Sequence, residues 1–164
     1  MSPAENIENF PHEWSSALKY VEQRHKSGQR IVFTNGCFDI LHVGHVRYLQ
    51  QARSLGDCLV VGLNSDSSIR ALKGLTRPIV PETERAELLL ALKAVDCVVV
   101  FAEETPLRLI EAIRPNILVK GGDWPIDKIV GAEFVQSYGG EVRSLPFVSG
   151  KSTSNIVEKI LQSR

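Results

Sequence analysis

Two histidines, His42 and His45, stand three residues apart in the string TNGCFDILHVGH (34–45), with only Val43 and Gly44 between them. A short β-type run, IVFT (31–34), precedes them, and Val46, Leu49, Ala52 and Leu55 recur on one helical face behind them. The pair therefore falls where a strand passes through a Gly-containing loop onto a helix N-terminus, with both rings aimed at one place. Unpaired N–H groups and the helix dipole make such an end attractive to phosphate, and Gly44 lets an anion approach the main chain. The chemistry this arrangement suits is the holding of phosphate oxygens by two imidazole donors. A zinc site would need further ligands at suitable spacing, and none are there.

Five more segments carry groups that could serve the same chemistry. SGKSTS (149–154) opens the last helical stretch, and its GKST looks like the tail of a Walker A loop. Leu145 stands where that loop needs its first Gly, so this is not a P-loop, and Ser152 and Thr153 are helix-capping hydroxyls beside the charge of Lys151. In VKGGDW (119–124), Gly121 and Gly122 permit a sharp turn and a close approach by a flat ligand, while Asp123 offers an acceptor and Trp124 a ring for stacking. LNSD (63–66), RALKGLTRP (70–78) and ERAELLLAL (84–92) contribute Asp66, Lys73, Arg77 and Arg85, each of which can also be a solvated surface residue. Cys58 and Cys97 lie in apolar runs as small core residues, and around Cys37 the backbone N–H groups matter more than the sulfur.

The elements that must position these groups alternate. A helix is expected over 12–26, strands over 31–34, 58–64, 97–101, 117–119 and 141–147, and helices carrying Val46, Leu49, Ala52 and Leu55 up to Gly56, from a Thr83 cap, from Thr105-Pro106 to about Ile113, and over 129–138. A last helix carries Ile156, Val157, Ile160 and Leu161, and residues 65–82 read as an irregular basic surface loop. Strand–helix alternation with uninterrupted apolar strands such as CLVVGLN implies right-handed crossovers, hence a doubly wound α/β fold: a five-stranded parallel sheet with helices on both faces. Ligands in such sheets bind beyond the C-terminal strand ends, which singles out loops 34–45, 64–74, 120–126 and 147–153.

The 164 residues suit about one domain, divided here into a helical extension (1–29) and a main domain (30–164). Lys plus Arg and Asp plus Glu each number 19, so no net field draws the chain to nucleic acid or an anionic membrane, and any anion site must be built locally. Three scattered cysteines argue against a disulfide framework, and the start MSPAENIENFPHEW has neither the charge nor the apolar run of a signal peptide. The expectation is a cytoplasmic protein.

TNGCFDILHVGH resembles the FDxxHxGH signature of the nucleotidyltransferase α/β-phosphodiesterase superfamily, over roughly residues 30–161. VKGGDW is similar to the KGGD(Y/W) segment of the heptose 1-phosphate adenylyltransferases, and more loosely to the GDDW of glycerol-3-phosphate cytidylyltransferases. The resemblance implies a Rossmann-like enzyme that transfers AMP from ATP to D-glycero-D-manno-heptose 1-phosphate for lipopolysaccharide or a related glycan. The alternatives are a cytidylyltransferase acting on glycerol-3-phosphate and, from another class, a non-catalytic nucleotide-binding module. It implies His42, His45 and Lys73 as catalytic residues. Nucleotide contacts would come from Thr34, Asn35, Gly36, Cys37, Phe38, Lys120, Gly122, Asp123, Trp124, Ser152 and Thr153 together with both histidines. Acceptor contacts would come from Asp39, Asp66, Lys73 and Arg85, with Arg77 an alternative to Lys73. Mg2+ would arrive with ATP rather than in a carboxylate cage, and the enzyme would be a homodimer or higher homo-oligomer.

Overall fold

The computed structural model describes residues 11–163. Strands β1 (Ile31–Gly36), β2 (Cys58–Asn64), β3 (Cys97–Phe101), β4 (Ile117–Gly121) and β5 (Glu141–Leu145) form one parallel sheet in the order β3-β2-β1-β4-β5. Helices α1 (Ser15–Lys26), α2 (Val43–Arg53), α3 (Asp66–Lys73), α4 (Glu82–Leu90), α5 (Leu107–Ile113), α6 (Ala132–Ser137) and α7 (Thr153–Gln162) accompany it. This is the doubly wound, Rossmann-like architecture that the alternating pattern implies.

Side chains alternate across β1, so Ile31 and Phe33 enter one core layer and Val32 the other. The first layer gathers Leu18 and Val21 of α1, Ile110 and Ile113 of α5 and Val135 of α6. The second gathers Leu49 and Ala52 of α2 and Leu89 of α4 over Leu59, Val61 and Leu63 of β2. Each fully buried Leu or Ile contributes roughly 1.5–3 kcal/mol of transfer free energy, which is why central strands free of polar alternation are stable here. Residues 1–10 of the expected 1–29 extension lie outside the described residues. After a short 3-10 turn (His12–Trp14), Trp14 is buried in the first layer and its indole N–H donates to the Val100 carbonyl at 2.9 Å, covering part of edge strand β3.

Strand order reverses at β1, whose neighbours β2 and β4 carry the chain in opposite directions across the sheet. The crevice beyond its C-terminal end is where this topology places ligands.

Several boundaries differ from the sequence expectation. Residues 66–73, expected to be irregular, are helix α3, started by Ser65, whose hydroxyl accepts from the Ser68 amide at 3.1 Å. Only Ser68 and Ile69 of this helix are buried, so its apolar periodicity is too sparse to read. Thr83 does not cap α4, because the chain enters that helix from extended Pro81 and Thr83 sits inside the first turn. Pro106 takes the cap position of α5 rather than its first helical position, and α6 starts only at Ala132 after a 3-10 turn over Ile126–Lys128. Strand β5 stops at Leu145, because Pro146 has no N–H to continue a ladder.

Candidate active site

A cleft of about 680 Å³ opens at the C-terminal ends of β1 and β4, lined by Asn35–Phe38, the start of α2, Lys73, Arg77, Lys120, Trp124 and residues 147–155. His42 is the N-cap of α2 in extended conformation. Its Nδ1 accepts from the Gly44 amide at 3.1 Å, and the His42 amide in turn donates to Nδ1 of His45 at 3.3 Å. The two rings stack at 3.9 Å. With both Nδ1 atoms accepting main-chain protons, each neutral ring carries its hydrogen on Nε2 as the remaining donor.

Charge is held off these rings. Burial, and then Lys151, lower the His42 pKa, while burial, the His42 ring and Lys73 bring His45 down to about 4. Both histidines are therefore neutral hydrogen-bond donors at pH 7. Positive charge comes instead from Lys73, Arg77, Lys120 and Lys151, and among the described residues no carboxylate lines the cleft.

The start of α7 meets the start of α2 across the cleft. A Cβ added at Gly44 would lie 2.8 Å from the His42 ring and 3.0 Å from the Lys151 Cβ, so only glycine admits this approach. Ser152 caps α7, its hydroxyl accepting from the Asn155 amide at 3.0 Å, and the Thr153 hydroxyl donates to the Ile40 carbonyl at 3.2 Å. Two helix N-termini and these cations thus face one space, an arrangement suited to a polyphosphate.

At the other end the β4 loop turns through Gly122 at φ +106°, and a Cβ there would lie 3.0 Å from both the Phe147 ring and the Trp124 ring. Lys120 Nζ lies 5.6 Å from the Trp124 ring centroid. Both rings are solvent-exposed, Phe147 by 72% and Trp124 by 48%, a costly arrangement that a flat ligand would relieve.

Asn35, Gly36, Cys37, Phe38, His42, His45, Lys73, Lys120, Trp124, Ser152 and Thr153 all line the cleft; Lys73 is the last residue of α3 rather than part of a loop. Gly122 is buried beneath it, and Asp123 is exposed outside it. Thr34 is fully buried, its hydroxyl 2.6 Å from that of Tyr48, and so lies under the site.

Three of the four residues expected at the acceptor, Asp39, Asp66 and Arg85, do not line this cleft. Asp39 is 3% exposed and accepts from Arg77 Nε at 2.6 Å and from the Ile79 and Val80 amides at 2.9 Å. Burial pushes its pKa up, but the Val80 and Ile79 amides and the Arg77 guanidinium outweigh that and leave it below the usual carboxylate value. Arg85 is fully buried and donates to the Val80, Cys37 and Asn64 carbonyls and to Asp66 at 2.7–2.8 Å. Asp66 borders a separate hollow with Glu13, Arg70, Glu82 and Glu103. In sequence, a buried ion-pair partner and a ligand-facing charge look alike, hence the difference.

Sequence reasoning missed Tyr48, Phe147 and Asn155 in the lining. Tyr48 follows His45 by three residues on one face of α2, a spacing that would have found it. Burial raises its hydroxyl pKa to about 12. Phe147 follows the last strand with no periodic signal.

Known proteins share this chain's pattern. The sequence profile described as cytidylyltransferase-like matches residues 33–158. The bifunctional protein HldE of Geobacter sulfurreducens is 63% identical over 136 residues, covering 83% of this chain and 28% of that protein. HldE of Geobacter metallireducens is 53% identical over 173 aligned positions, covering 99% of this chain and 35% of that protein. The chain thus spans about a third or less of the curated relatives it matches. Among solved structures, the lipopolysaccharide core biosynthesis protein from Thermoplasma volcanium GSS1 superposes with a TM-score of 0.60 at 31% identity, covering 76% of this chain and 100% of that one. A macrolide-efflux protein from Streptococcus pneumoniae, at 24% identity over 80% of this chain and 52% of its own, shares the fold with a TM-score of 0.58. With 126 of its residues inside the family profile and its paired histidines at the switch point of the sheet, the chain belongs to the cytidylyltransferase-like family.

Proposed function

We propose that this chain is an adenylyltransferase that moves AMP from ATP to D-glycero-D-manno-heptose 1-phosphate, releasing pyrophosphate and ADP-heptose. The observation that carries the reading is the neutral His42–His45 stack at the α2 N-terminus, facing the α7 N-terminus across a cleft whose described lining has cations and no carboxylates.

A sugar phosphate with a second pKa near ~6 is already charged at neutral pH, so it needs neither a general base nor an enzyme nucleophile. What remains is alignment and stabilisation of charge on the transferring phosphoryl group. His42 and His45 donate from Nε2 to α- and β-phosphate oxygens, Lys73 offsets charge near the reacting centre, and Ser152, Thr153 and the α7 N-terminus hold the departing pyrophosphate. The described lining offers no carboxylate to ligate Mg2+, so the ion would come with the triphosphate, held by phosphate oxygens and water, and would neutralise phosphate charge.

Support for a purine rather than cytosine comes from the KGGDW segment and from the exposed Trp124 and Phe147 rings beside Gly122. Similarity to the lipopolysaccharide core biosynthesis protein of Thermoplasma volcanium supports a surface-glycan precursor as product. No helix among the described residues is long and apolar enough to cross a membrane. A cytoplasmic homo-oligomer, with residues 30–164 as the transferase domain, belongs to the same proposal.

The test is pyrophosphate release with ATP or CTP against heptose 1-phosphate or glycerol-3-phosphate. The highest kcat/KM is expected for ATP with the heptose phosphate. A higher value for CTP with glycerol-3-phosphate overturns the assignment, and no release with any pair leaves a binding module.

A further inference from the structure

The cleft's cations come from different places in the chain. Lys151 stands against Gly44 and His42 at the start of α7, whereas Lys73 and Arg77 come from the end of α3 and the connection that follows it. An in-line phosphoryl displacement needs charge stabilised on both the attacking and the leaving oxygens. On the transferase reading, Lys151 and the α7 N-terminus would hold the leaving side, which leaves the α3–α4 connection for the attacking phosphate.

Within that connection, Lys73 and Arg77 are held differently. Lys73 is an exposed ammonium with no hydrogen-bond or ion-pair partner among the described residues. Arg77 has its side chain 18% exposed, with Nε on a carboxylate that is 2% exposed. That carboxylate, Asp39, directly follows the cleft-lining Phe38 and also accepts the Ile79 and Val80 amides, so a single buried side chain fixes the Arg77–Val80 segment to the β1 loop. Only Nε of Arg77 is used: among the described residues its Nη1 and Nη2 groups bond to nothing. A guanidinium fixed through Nε presents its two terminal nitrogens as a rigid fork that matches two oxygens of a phosphate monoester.

We propose that Arg77 is the residue that grips the phosphate of the sugar substrate, and that Asp39 is a positioning residue acting through it. The inference rests on the transferase reading for the identity of the acceptor. It also gives buried Asp39 a role without substrate contact. Arg85 supports the same segment from below by donating to the Val80 and Cys37 carbonyls.

The test is calorimetric titration of heptose 1-phosphate and, separately, ATP into wild type, Arg77→Ala, Arg77→Lys, Asp39→Asn and the combined Asp39→Asn/Arg77→Ala variant. Pyrophosphate release and unfolding midpoints are followed in parallel. Arg77→Ala is expected to weaken sugar-phosphate binding by about 10–100-fold, the scale for charge-assisted hydrogen bonds, and to shift ATP binding by less than about twofold. Arg77→Lys recovers little, because an ammonium cannot bond Asp39 and fork a phosphate at once. Asp39→Asn weakens sugar-phosphate binding alone and adds nothing when combined with Arg77→Ala, a non-additivity that general loosening of the fold does not produce. Unchanged sugar-phosphate binding in folded Arg77→Ala, or equal loss of ATP, overturns the inference while wild-type turnover keeps the function. Arg77-dependent binding without wild-type turnover does the reverse, and a wild type that binds no sugar phosphate overturns both.

Discussion

At the scale of single residues, the proposed chemistry rests on two rings whose Nδ1 atoms are tied to main-chain amides, which leaves Nε2 as the donor. Replacing either His42 or His45 by Ala removes one donor aimed at developing charge, and kcat is expected to fall about 10²–10³-fold with little change in melting temperature. Steady-state pyrophosphate assays on the folded variants check this, and a wild-type kcat in either one excludes the assigned role. The histidines also set a pH dependence of stability. His45 titrates at about 4 in the folded chain against an ordinary 6.5, so between those values the unfolded chain binds more protons. The resulting stability is complete above pH 6.5 and is lost as the pH falls toward about 4. Urea midpoints at pH 7.5 and 4.5 are therefore expected to drop further in wild type than in His45→Gln. Equal drops would assign the slope to groups other than His45; Asp39 is not among them, because its lowered pKa makes its own contribution fail only at still lower pH.

At the scale of elements, the decisive contact is the approach of α7 to α2 over Gly44. Gly44→Ala places a methyl group within 2.8 Å of the His42 ring, which must then leave its cap on the Gly44 amide. The expected result is a fall in kcat of at least about tenfold with a modest loss of stability, of about 1 kcal/mol for a spoiled cap; crystallography of the variant would show the ring displaced. The same scale shows what sequence makes legible. CLVVGLN and CVVVF read correctly as strands because both faces of a parallel strand are covered, and a continuous apolar run is the signature of that burial. HVGH, KGGDW and SGKSTS read as site segments through their match to the family signature and their place at strand ends and helix starts; by themselves glycine turns and hydroxyl caps are ordinary. Helix α3 escapes such a reading because it rides on the surface with one buried aliphatic side chain, Ile69. Arg85 and Asp39 read as acceptor contacts in sequence because only three-dimensional packing separates a charge that faces a ligand from one sealed against backbone carbonyls and amides.

At the scale of the whole molecule, net charge is zero while the described lining of the cleft carries Lys73, Arg77, Lys120 and Lys151 and no carboxylate, so any attraction it exerts on an anion is local and short-ranged. The sheet also divides the interior into two layers, and the one containing Phe38 and Tyr48 borders the cleft. Ile110→Ala in the other layer is expected to cost about 2–5 kcal/mol of stability while leaving kcat/KM unchanged well below the melting point. Leu49→Ala, beneath the α2 histidines, is expected to reduce both, and thermal melts beside steady-state rates compare the two. The partition makes the sheet an insulator between durability and chemistry. On that partition, changes on the α1–α5–α6 side would alter how long the fold lasts while the layer under the cleft keeps its shape.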